Sequence, residues 1–335
     1  MNRIQARSPY FIQSTNGSTA TLNLYVWSGS KLNSEPASPT YVLTKQHQNS
    51  KATFEISELL RDYIVNSFTG VYQSAVVNVK VELIDGLGTV SSYFLAVDGY
   101  NLYNETNNSL NTAEWLSSSD VLHFPETGTL TIPLSNDVTS IDWYNGGVVL
   151  KNDILNASGD NSLDNIQYSQ YTIGTKPTHV TVNSSLGNIT KNITYLDCSK
   201  YKTAKVTFIN KFGVLKDLYL NAKSSEQLSV GNKEYKSNSF TYDNITDNNN
   251  SHQYSTYNTN GRKLVTLNSG FVSEQINSVY DSLYLSENIY LTIDNITYPV
   301  NLESKSFNYK THLNNNLINY SLNLSYSFDY INNIK

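Results

Sequence analysis

Histidine is the side chain best suited to metal binding and to proton transfer near neutral pH, and this chain has 5 of them. They are His47, His123, His179, His252 and His312. None stands in the H-E-x-x-H spacing that places two imidazoles on one helix face for zinc. The spacing therefore predicts surface or hydrogen-bonded histidines and no metal site.

Carboxylates are the second chemistry to consider, because glycosidases bring two of them together from distant positions. The available acids are Asp62, Asp85, Glu126, Asp137 and Asp142. No spacing marks any two of them as partners, and the chain lacks both the G-x-S-x-G elbow and the glycine-rich phosphate motifs. We therefore predict no catalytic residue, no cofactor and no enzyme, and glycan hydrolysis is the least favoured alternative.

Two loops rich in Asp and Asn, residues 153–165 and 243–250, carry oxygen ligands of the kind that Ca²⁺ prefers. They lack the spaced D-x-[DN]-x-[DN]-G pattern, and Asp and Asn also favour turns by bonding their own backbone. We interpret both segments as solvated loops. Cys198 is the only cysteine, so the chain has no disulfide framework, and it suits a small buried residue better than a nucleophile.

Aromatic residues offer a binding chemistry instead of a catalytic one. Tyr254, Tyr257 and Asn258 fall in a predicted polar loop over residues 243–261, where rings beside amides suit sugars or a protein interface. The three tryptophans, which fit a core or an interface better than a carbohydrate platform, are Trp27, Trp115 and Trp143. Receptor or glycan binding by a fibre-type module therefore stays open as an alternative function, although no fibre repeat or heptad is present.

Charged residues make up 15% of the chain and aromatic residues 12%, with 26 tyrosines. Low charge with many Tyr and Thr favours strands over helices and argues against disorder. A net charge of −5 without a basic stripe argues against binding a nucleic-acid backbone. Since no window reaches the apolar length of a transmembrane helix and no signal peptide opens the chain, we expect synthesis in a cytoplasm and no membrane span.

These signals predict an all-β protein, mainly β with two isolated amphipathic helices, in two or three β-sandwich-like domains. The expected parts are an N-terminal β-sandwich with one helix over 1–100, a linker over 101–120 and a middle β domain over 121–197. A C-terminal β domain with one helix and a long terminal strand fills 198–335.

Both helices are predicted from apolar residues at helical spacing. Thr53 is the expected cap of the first, whose apolar face is Ile56, Leu59, Leu60, Tyr63 and Ile64. Ser273 is the expected N-cap of the second, whose apolar face is Ile276, Val279, Tyr280 and Leu283.

The terminal strand is predicted from strict alternation of large apolar and small polar residues. Its apolar set is Tyr320, Leu322, Leu324, Tyr326, Phe328 and Tyr330. Successive side chains of a strand point to opposite faces, so we expect this segment to be half buried in a core sheet or at a subunit interface.

Several segments together resemble virion proteins of tailed bacteriophages that infect Bacteroidetes. Residues 4–12 and 54–64 are similar to the start of those proteins, and residues 201–213 are similar to their middle. Residues 267–274, 283–287 and 317–320 extend the resemblance, which is spread over most of the chain and is weakest between 101 and 197. The family is similar to the neck or tail ring components of crAss-like podoviruses.

This resemblance implies a non-enzymatic virion structural protein that forms a ring in the neck or tail, and it carries over no site residues. It also implies a homo-oligomer, twelvefold because neck rings match the portal, in contact with the portal and with other tail or fibre proteins. The protein would be synthesised in the host cytoplasm and located in the virion. Rings follow from a head-to-tail contact whose rotation closes, and aromatic-rich strands suit permanent interfaces.

Overall fold

The structure, a computed structural model, describes residues 2–29, 34–73, 75–105, 116–117, 122–135, 138–155, 166–184, 187–197, 200–237, 252–310 and 318–331. Among these residues, strands account for 56% and helices for 6%. The predicted all-β class, with two α-helices among several packed sheets, is confirmed. Within the described ranges, no helix combines the length and the apolarity that crossing a bilayer requires.

The N-terminal unit packs a five-stranded sheet against two short strands and a helix. Its elements are β1 (Asn2–Gln5), β2 (Phe11–Ser14), β3 (Thr19–Trp27), β4 (Tyr41–Gln46), β5 (Ala52–Glu55), α1 (Ser57–Arg61), β6 (Val76–Asp85) and β7 (Gly88–Val97). The sheet order is β1-β7-β6-β3-β4, with β1 parallel to β7, while β2 pairs with β5. Leu22, Leu24 and Val79 from alternate strand positions form one buried cluster with Phe54 and Leu60.

The first helix is shorter than its apolar spacing predicts, and its expected cap is wrong. Thr53 pairs with Gln13 in the β2–β5 ladder, so it belongs to a strand. Helix α1 contains only 5 residues and has no side-chain cap. Pairing with β2 is favoured over a longer helix because a helix this short gains little from its own hydrogen bonds. Burial of Ile56 and Leu60 stabilises the helical turn that remains.

The middle unit is a sandwich of a five-stranded and a two-stranded sheet. Its strands are β8 (Leu122–Pro125), β9 (Thr129–Leu134), β10 (Val138–Asn145), β11 (Val148–Ile154), β12 (Gln167–Thr172), β13 (His179–Ser184) and β14 (Gly187–Leu196). The larger sheet has the order β11-β10-β13-β14-β8, and β9 pairs with β12. Trp143 joins the two sheets, because its ring stacks on Tyr171 at 5.2 Å and its Nε1 donates to Ser169 Oγ at 3.1 Å.

The C-terminal unit is a seven-stranded antiparallel sheet. Its strands are β15 (Ala204–Ile209), β16 (Leu215–Leu220), β17 (Ser225–Lys236), β18 (Tyr254–Asn268), β19 (Ile289–Ile293), β20 (Ile296–Leu302) and β21 (Ser321–Tyr326). They lie in the order β16-β15-β19-β20-β21-β18-β17. Phe124 and Trp143 of the middle unit belong to the same hydrophobic cluster as Val206, Leu291 and Leu322, so one core crosses the boundary expected after residue 197.

The second helix is found where the sequence predicts it. Ser273 precedes a 3₁₀ turn (Glu274–Ile276) and accepts a hydrogen bond from the Gln275 amide, and α2 (Asn277–Tyr284) follows. The predicted apolar face is confirmed, since Ile276, Val279, Tyr280 and Leu283 are all buried. These side chains join the cluster that lines one face of the seven-stranded sheet.

Strand β18 extends into a segment predicted as loop, and its partner β17 lies in a segment for which the sequence predicts no element. Residues 254–261, expected within a polar loop, form the first half of β18, and the 12 residues of β17 are all exposed. Alternation reveals a strand only where one face is buried and the other is wet. Here both faces contact solvent, so the sequence carries no period-2 signal although β17 pairs with β18 over most of its length.

The terminal strand occupies the predicted place but ends earlier. Strand β21 lies between β20 and β18, with Leu322 and Leu324 fully buried, whereas Phe328 is 48% exposed. After Tyr326 the pairing with β20 keeps one more hydrogen bond, from the Ser327 amide to the Pro299 carbonyl oxygen at 3.0 Å, and Pro299 has no N–H to return a second one. Position in a core sheet is therefore confirmed, and burial of the last two aromatic residues is wrong.

The two halves of this apolar pattern should differ in energy. Leu324→Ala leaves a cavity in the core and should lower the free energy of unfolding by about 2–5 kcal/mol. Phe328→Ala removes a half-exposed ring and should lower it by less than about 1 kcal/mol. Urea denaturation followed by tryptophan fluorescence measures both variants, and equal losses would contradict the observed end of the buried strand.

Candidate functional site

Two residues selected from the sequence, His47 and Asp85, meet at one hydroxyl group. Ser14 ends β2, and its Oγ lies 2.8 Å from Asp85 Oδ2 and 3.1 Å from His47 Nε2. Asp85 ends β6, and the tight turn into β7 brings the Leu87 amide to its other oxygen at 3.0 Å. These donors, the Leu87 amide first, hold the pKa of the Asp85 carboxyl below its usual value.

The hydrogen bonds of this cluster differ from those of a nucleophilic triad. In a triad, the carboxylate orients the imidazole, and the imidazole takes the proton of the serine. Here Ser14 donates its single proton to Asp85, so an N–H at His47 Nε2 donates to the Ser14 oxygen. Ser14 is also only 2% exposed. The cluster closes a turn, and no motif around Ser14 marks it in the sequence.

The other histidines of the described ranges take no part in this cluster. His179 stacks on Tyr144 with ring centroids 4.9 Å apart, and His252 is exposed. Within the described ranges, no three His, Cys, Asp or Glu side chains come close enough to share a metal ion. Some residues and loops selected from the sequence lie outside the described ranges: Trp115, Asp137, Cys198, His312, residues 156–165 of the first acidic loop and all of residues 243–250.

The remaining acids that were selected from the sequence and that the structure describes have no partner in common. Asp62 is exposed at the end of α1, and Glu126 pairs with Lys176 at 2.6 Å. Asp142 accepts a hydrogen bond from Asn183 at 2.9 Å. The structure brings no two of these three acids to a common point.

A buried carboxylate that was not selected from the sequence lies where the three units meet. Asp217 of β16 is 7% exposed, and it accepts hydrogen bonds from Thr207 Oγ1 at 2.7 Å and from the Tyr72 hydroxyl at 2.5 Å. The Tyr219 hydroxyl lies 3.3 Å away, and Lys205 Nζ donates to the Tyr72 oxygen at 2.9 Å. Burial and the charge of Asp217 raise the pKa of Tyr72, so this hydroxyl stays protonated and donates.

Aromatic rings enclose this network and link the same three units. The Tyr72 ring lies 5.0 Å from Phe68 and 5.6 Å from Tyr168 of the middle unit. Phe68 lies 5.5 Å from Tyr290 of β19, and the Tyr168 hydroxyl accepts from the Leu215 amide at 3.0 Å. The chain between α1 and β6 is thereby packed against both other units. We name this set, with Asp217, the buried junction; its position gives it a structural role.

A second contact ties the N-terminal unit to the C-terminal one. Arg7 lies 3.4 Å from one oxygen of Glu287, and Arg61 lies 2.5 Å from the other. Partly exposed ion pairs contribute little stability, so close backbone packing matters more. Gly99 has no space for a side chain, because a Cβ there would lie 2.6 Å from the Lys211 carbonyl oxygen. The end of β7 therefore packs directly on the β15–β16 turn.

The buried amine of Lys216 neighbours the junction. Burial lowers its pKa to about 8, and the adjacent charge of Asp217 opposes that shift. Burial and the Lys216 charge also lower the pKa of His123. Near-neutral lysines occur at catalytic sites, but Lys216 is only 7% exposed and has no open approach for a substrate.

A cavity of about 880 Å³ lies between α2 and the segments that follow β7 and β20. Two of its charged groups have partners, because Lys211 pairs with Glu105 at 3.0 Å and Glu287 pairs with the two arginines. The Tyr309 hydroxyl hydrogen-bonds to Asp281. These groups serve contacts within the fold, so the cavity offers no converging set for chemistry.

An aromatic groove opens on the seven-stranded sheet beyond α2. Its volume is about 240 Å³, and it is lined by Lys263, Tyr298, Tyr326, Phe328 and Tyr330. The Tyr298 ring lies 5.3 Å from Tyr326 and 6.2 Å from Phe328, and Lys263 Nζ lies 5.9 Å from the Tyr330 ring. Exposed rings with a cation at the rim can stack on a sugar or anchor a protein partner.

An exposed arm adjoins the groove, and it consists of β17 and the part of β18 before Leu264. Among the described strands, this part of β18 pairs with β17 alone. Residues 330 and 331 add a few hydrogen bonds to it. Tyr254, Tyr257 and Asn258, predicted in a loop, lie on this arm. Tyr257 packs on Tyr235 at 5.9 Å, and Asn258 has a positive φ of 49° near a register shift of the ladder. Two strands without a core are marginally stable alone, so the arm is suited to contact with another molecule.

No protein-family model and no curated protein matches this sequence. The junction, the groove and the arm are therefore the features of the molecule that bear on function, beside the resemblance of the sequence segments described above.

Lys216 should make stability depend on pH in a defined direction. In the fold it loses its proton near pH 8, against 10.5 for an ordinary lysine. Between these values the unfolded chain holds more protons, so raising the pH stabilises the folded protein. Relative to Lys216→Met, the wild type should gain up to about 3 kcal/mol from about pH 7.5 to about pH 10.5.

Urea denaturation across this range measures the difference, and the buried tyrosines cancel because both proteins contain them. Lys202→Met is the matched control, since that side chain is 79% exposed and should give a constant difference. A constant difference for Lys216→Met as well would refute the lowered pKa.

Proposed function

We propose that this protein is a non-enzymatic virion structural protein that forms a ring in the neck or tail of a tailed bacteriophage infecting Bacteroidetes. The observation that carries the proposal is the exposed arm on a rigidly joined body: β17 is exposed throughout, while the buried junction fixes the three units that support it. The resemblance to crAss-like podovirus proteins supplies the viral context.

The proposed partners are further copies of this chain, the portal and other tail or fibre proteins. A closed ring needs a head-to-tail contact between two different surfaces of each copy. The chain offers separate candidates, because β17, β4 and β11 each end a sheet and each has mostly exposed residues. We propose twelve copies, which is the number that the resemblance implies, in a protein made in the host cytoplasm and located in the virion.

Electron microscopy of purified virions tests the location and the copy number. A small tag fused to the chain and labelled with gold should mark the neck or tail, and averaged particles should show a ring at that level. Untagged virions give the background labelling. Label on fibres or at the distal tip, or virions that lack the protein, would contradict the ring proposal.

Glycan recognition is a second candidate function, and the aromatic groove favours it. Sugar rings stack on aromatic faces, and the groove exposes parts of Phe328 and Tyr330 beside Lys263. Glu226, 3.5 Å from Lys263, adds an acceptor at the rim. Such a site would serve a receptor-binding protein more directly than a ring component.

Binding to capsular polysaccharide of the host separates the two candidates. If the groove binds sugar, Phe328→Ala should weaken binding about tenfold, the loss expected for one stacking ring. Phe11→Ala is the matched control, because Phe11 is 60% exposed on the N-terminal unit, away from the groove. Absence of binding by the wild type would remove this candidate, and shortened polysaccharide chains in the same mixtures would reveal a hydrolase.

A further inference from the structure

The outer edge of β17 carries backbone N–H and C=O groups along an unusually long strand. β17 ends the seven-stranded sheet, and β18 is its only strand partner in the described part of the chain. All 12 of its residues are exposed. Proteins protect such edges with short strands, prolines, bulges or charges, because an open edge pairs with other chains. β17 is long and contains no proline, so its protection rests on a few charged residues and on the register shift of its ladder with β18 between Gly231 and Lys233.

We propose that two copies of this chain pair through β17, antiparallel to each other, about a twofold axis at Gly231. The seven-stranded sheet of one copy then continues into that of the other. This contact concerns the free protein and does not rest on the proposed place in the virion. Its occupant is a second copy because the strand is complementary to itself.

The complementarity follows from which residues share a face. A twofold axis perpendicular to a sheet keeps each face on its own side, so residues that meet across the axis must lie an even number of positions apart. With Gly231 on the axis, Glu226 of each copy lies opposite Lys236 of the other. The symmetry creates this opposite-charge pair twice, and such directly facing pairs stabilise antiparallel strands.

The neighbouring registers are worse for the same charges. With Val230 on the axis, Glu226 faces Glu234 twice, which is repulsive. With Asn232 on the axis, Lys236 faces Leu228 and no charges pair. If one strand instead slides past the other by a single residue, each face of one copy meets the opposite face of the other. The charges that guard this edge against random pairing therefore select one register with its own copy.

The surroundings of the strand leave this register open. A Cβ added at Gly231 would meet nothing within 4 Å, so the axis position is unobstructed. Lys236 Nζ lies over the Tyr254 ring at 5.8 Å, and Glu226 lies 3.5 Å from Lys263. Both side chains are exposed, and their contacts with described residues are these long ones, so each can turn toward a second copy.

A twofold contact differs in kind from the head-to-tail contact of a ring. Copies in a ring all point the same way around the axis, whereas a twofold pair points in opposite directions. The pair therefore covers the adhesive edge of the free protein and must open before copies join a one-directional ring. It protects the unassembled chain from uncontrolled strand pairing.

Cysteine crosslinking tests the register in the full-length protein. In a Cys198→Ser background, Gly231→Cys places one thiol of each copy directly opposite the other, where antiparallel spacing suits a disulfide. Mild oxidation should convert most of it to covalent dimer. Ser229→Cys is the matched control, because position 229 faces Lys233, and it should give little dimer. Equal crosslinking of the two variants, or none in either, would overturn the register.

Charge exchange tests the same pairing without a thiol. By sedimentation equilibrium, Glu226→Lys and Lys236→Glu should each weaken dimerisation about tenfold or more, since two attractive pairs become repulsive. The double variant restores both pairs and should return to within about threefold of the wild type. Lys233→Glu, which faces Ser229, should change little. A wild type that stays monomeric at high concentration, or a double variant as weak as the single ones, would refute the contact.

Both measurements use purified protein, so their failure leaves the virion location to be decided by gold labelling. Circular dichroism of each variant should match the wild type, because every substituted position of β17 is exposed.

Discussion

The carboxylate of Asp217 lies in the interior, where an ionised group is stable only if its oxygens accept several hydrogen bonds. Thr207 comes from the adjacent strand of the same sheet, but Tyr72 comes from a segment 145 positions earlier in the chain. Docking of the N-terminal unit therefore adds the shorter of the two tyrosine hydrogen bonds to this carboxylate, since the Tyr219 hydroxyl lies 3.3 Å away. Tyr168 brings the middle unit to the same place, so all three units meet around one buried group.

This fixed body determines what remains exposed. Helix α2 and the shared hydrophobic cluster bury one end of the seven-stranded sheet, including Leu291, Leu322 and Leu324. The cover ends before Phe328 and Tyr330, and it does not reach β17. The groove and the arm are thus the uncovered continuation of a core sheet. A rigid body with an exposed groove and arm is physically suited to assembly, because little conformational entropy is lost when the exposed part binds.

The sequence predicts the elements that bury one face and wet the other. The alternation around Leu322 and Leu324 and the helical spacing around Tyr280 both identify real elements. Alternation gives no signal for β17, because both of its faces contact solvent. Helical spacing misleads at Thr53, because this residue pairs with β2. The buried junction cannot be predicted from the sequence, because no local pattern connects Tyr72 with Asp217. His47 and Asp85 were selected separately, and only the fold shows that Ser14 joins them.

The insertion of β21 between β18 and β20 also has a consequence for the order of events on the ribosome. Thr266 of β18 and Asn323 of β21 are hydrogen-bonded, yet they are 57 positions apart in the chain. At about 5–20 residues per second, synthesis takes roughly 3–11 s to pass from one to the other, whereas a hairpin forms in about 1–10 μs. Until β21 is synthesised, the edges of β18 and β20 that it joins in the fold have no strand between them. Slower synthesis across residues 269–320 should therefore lengthen the time during which either edge can pair with another chain.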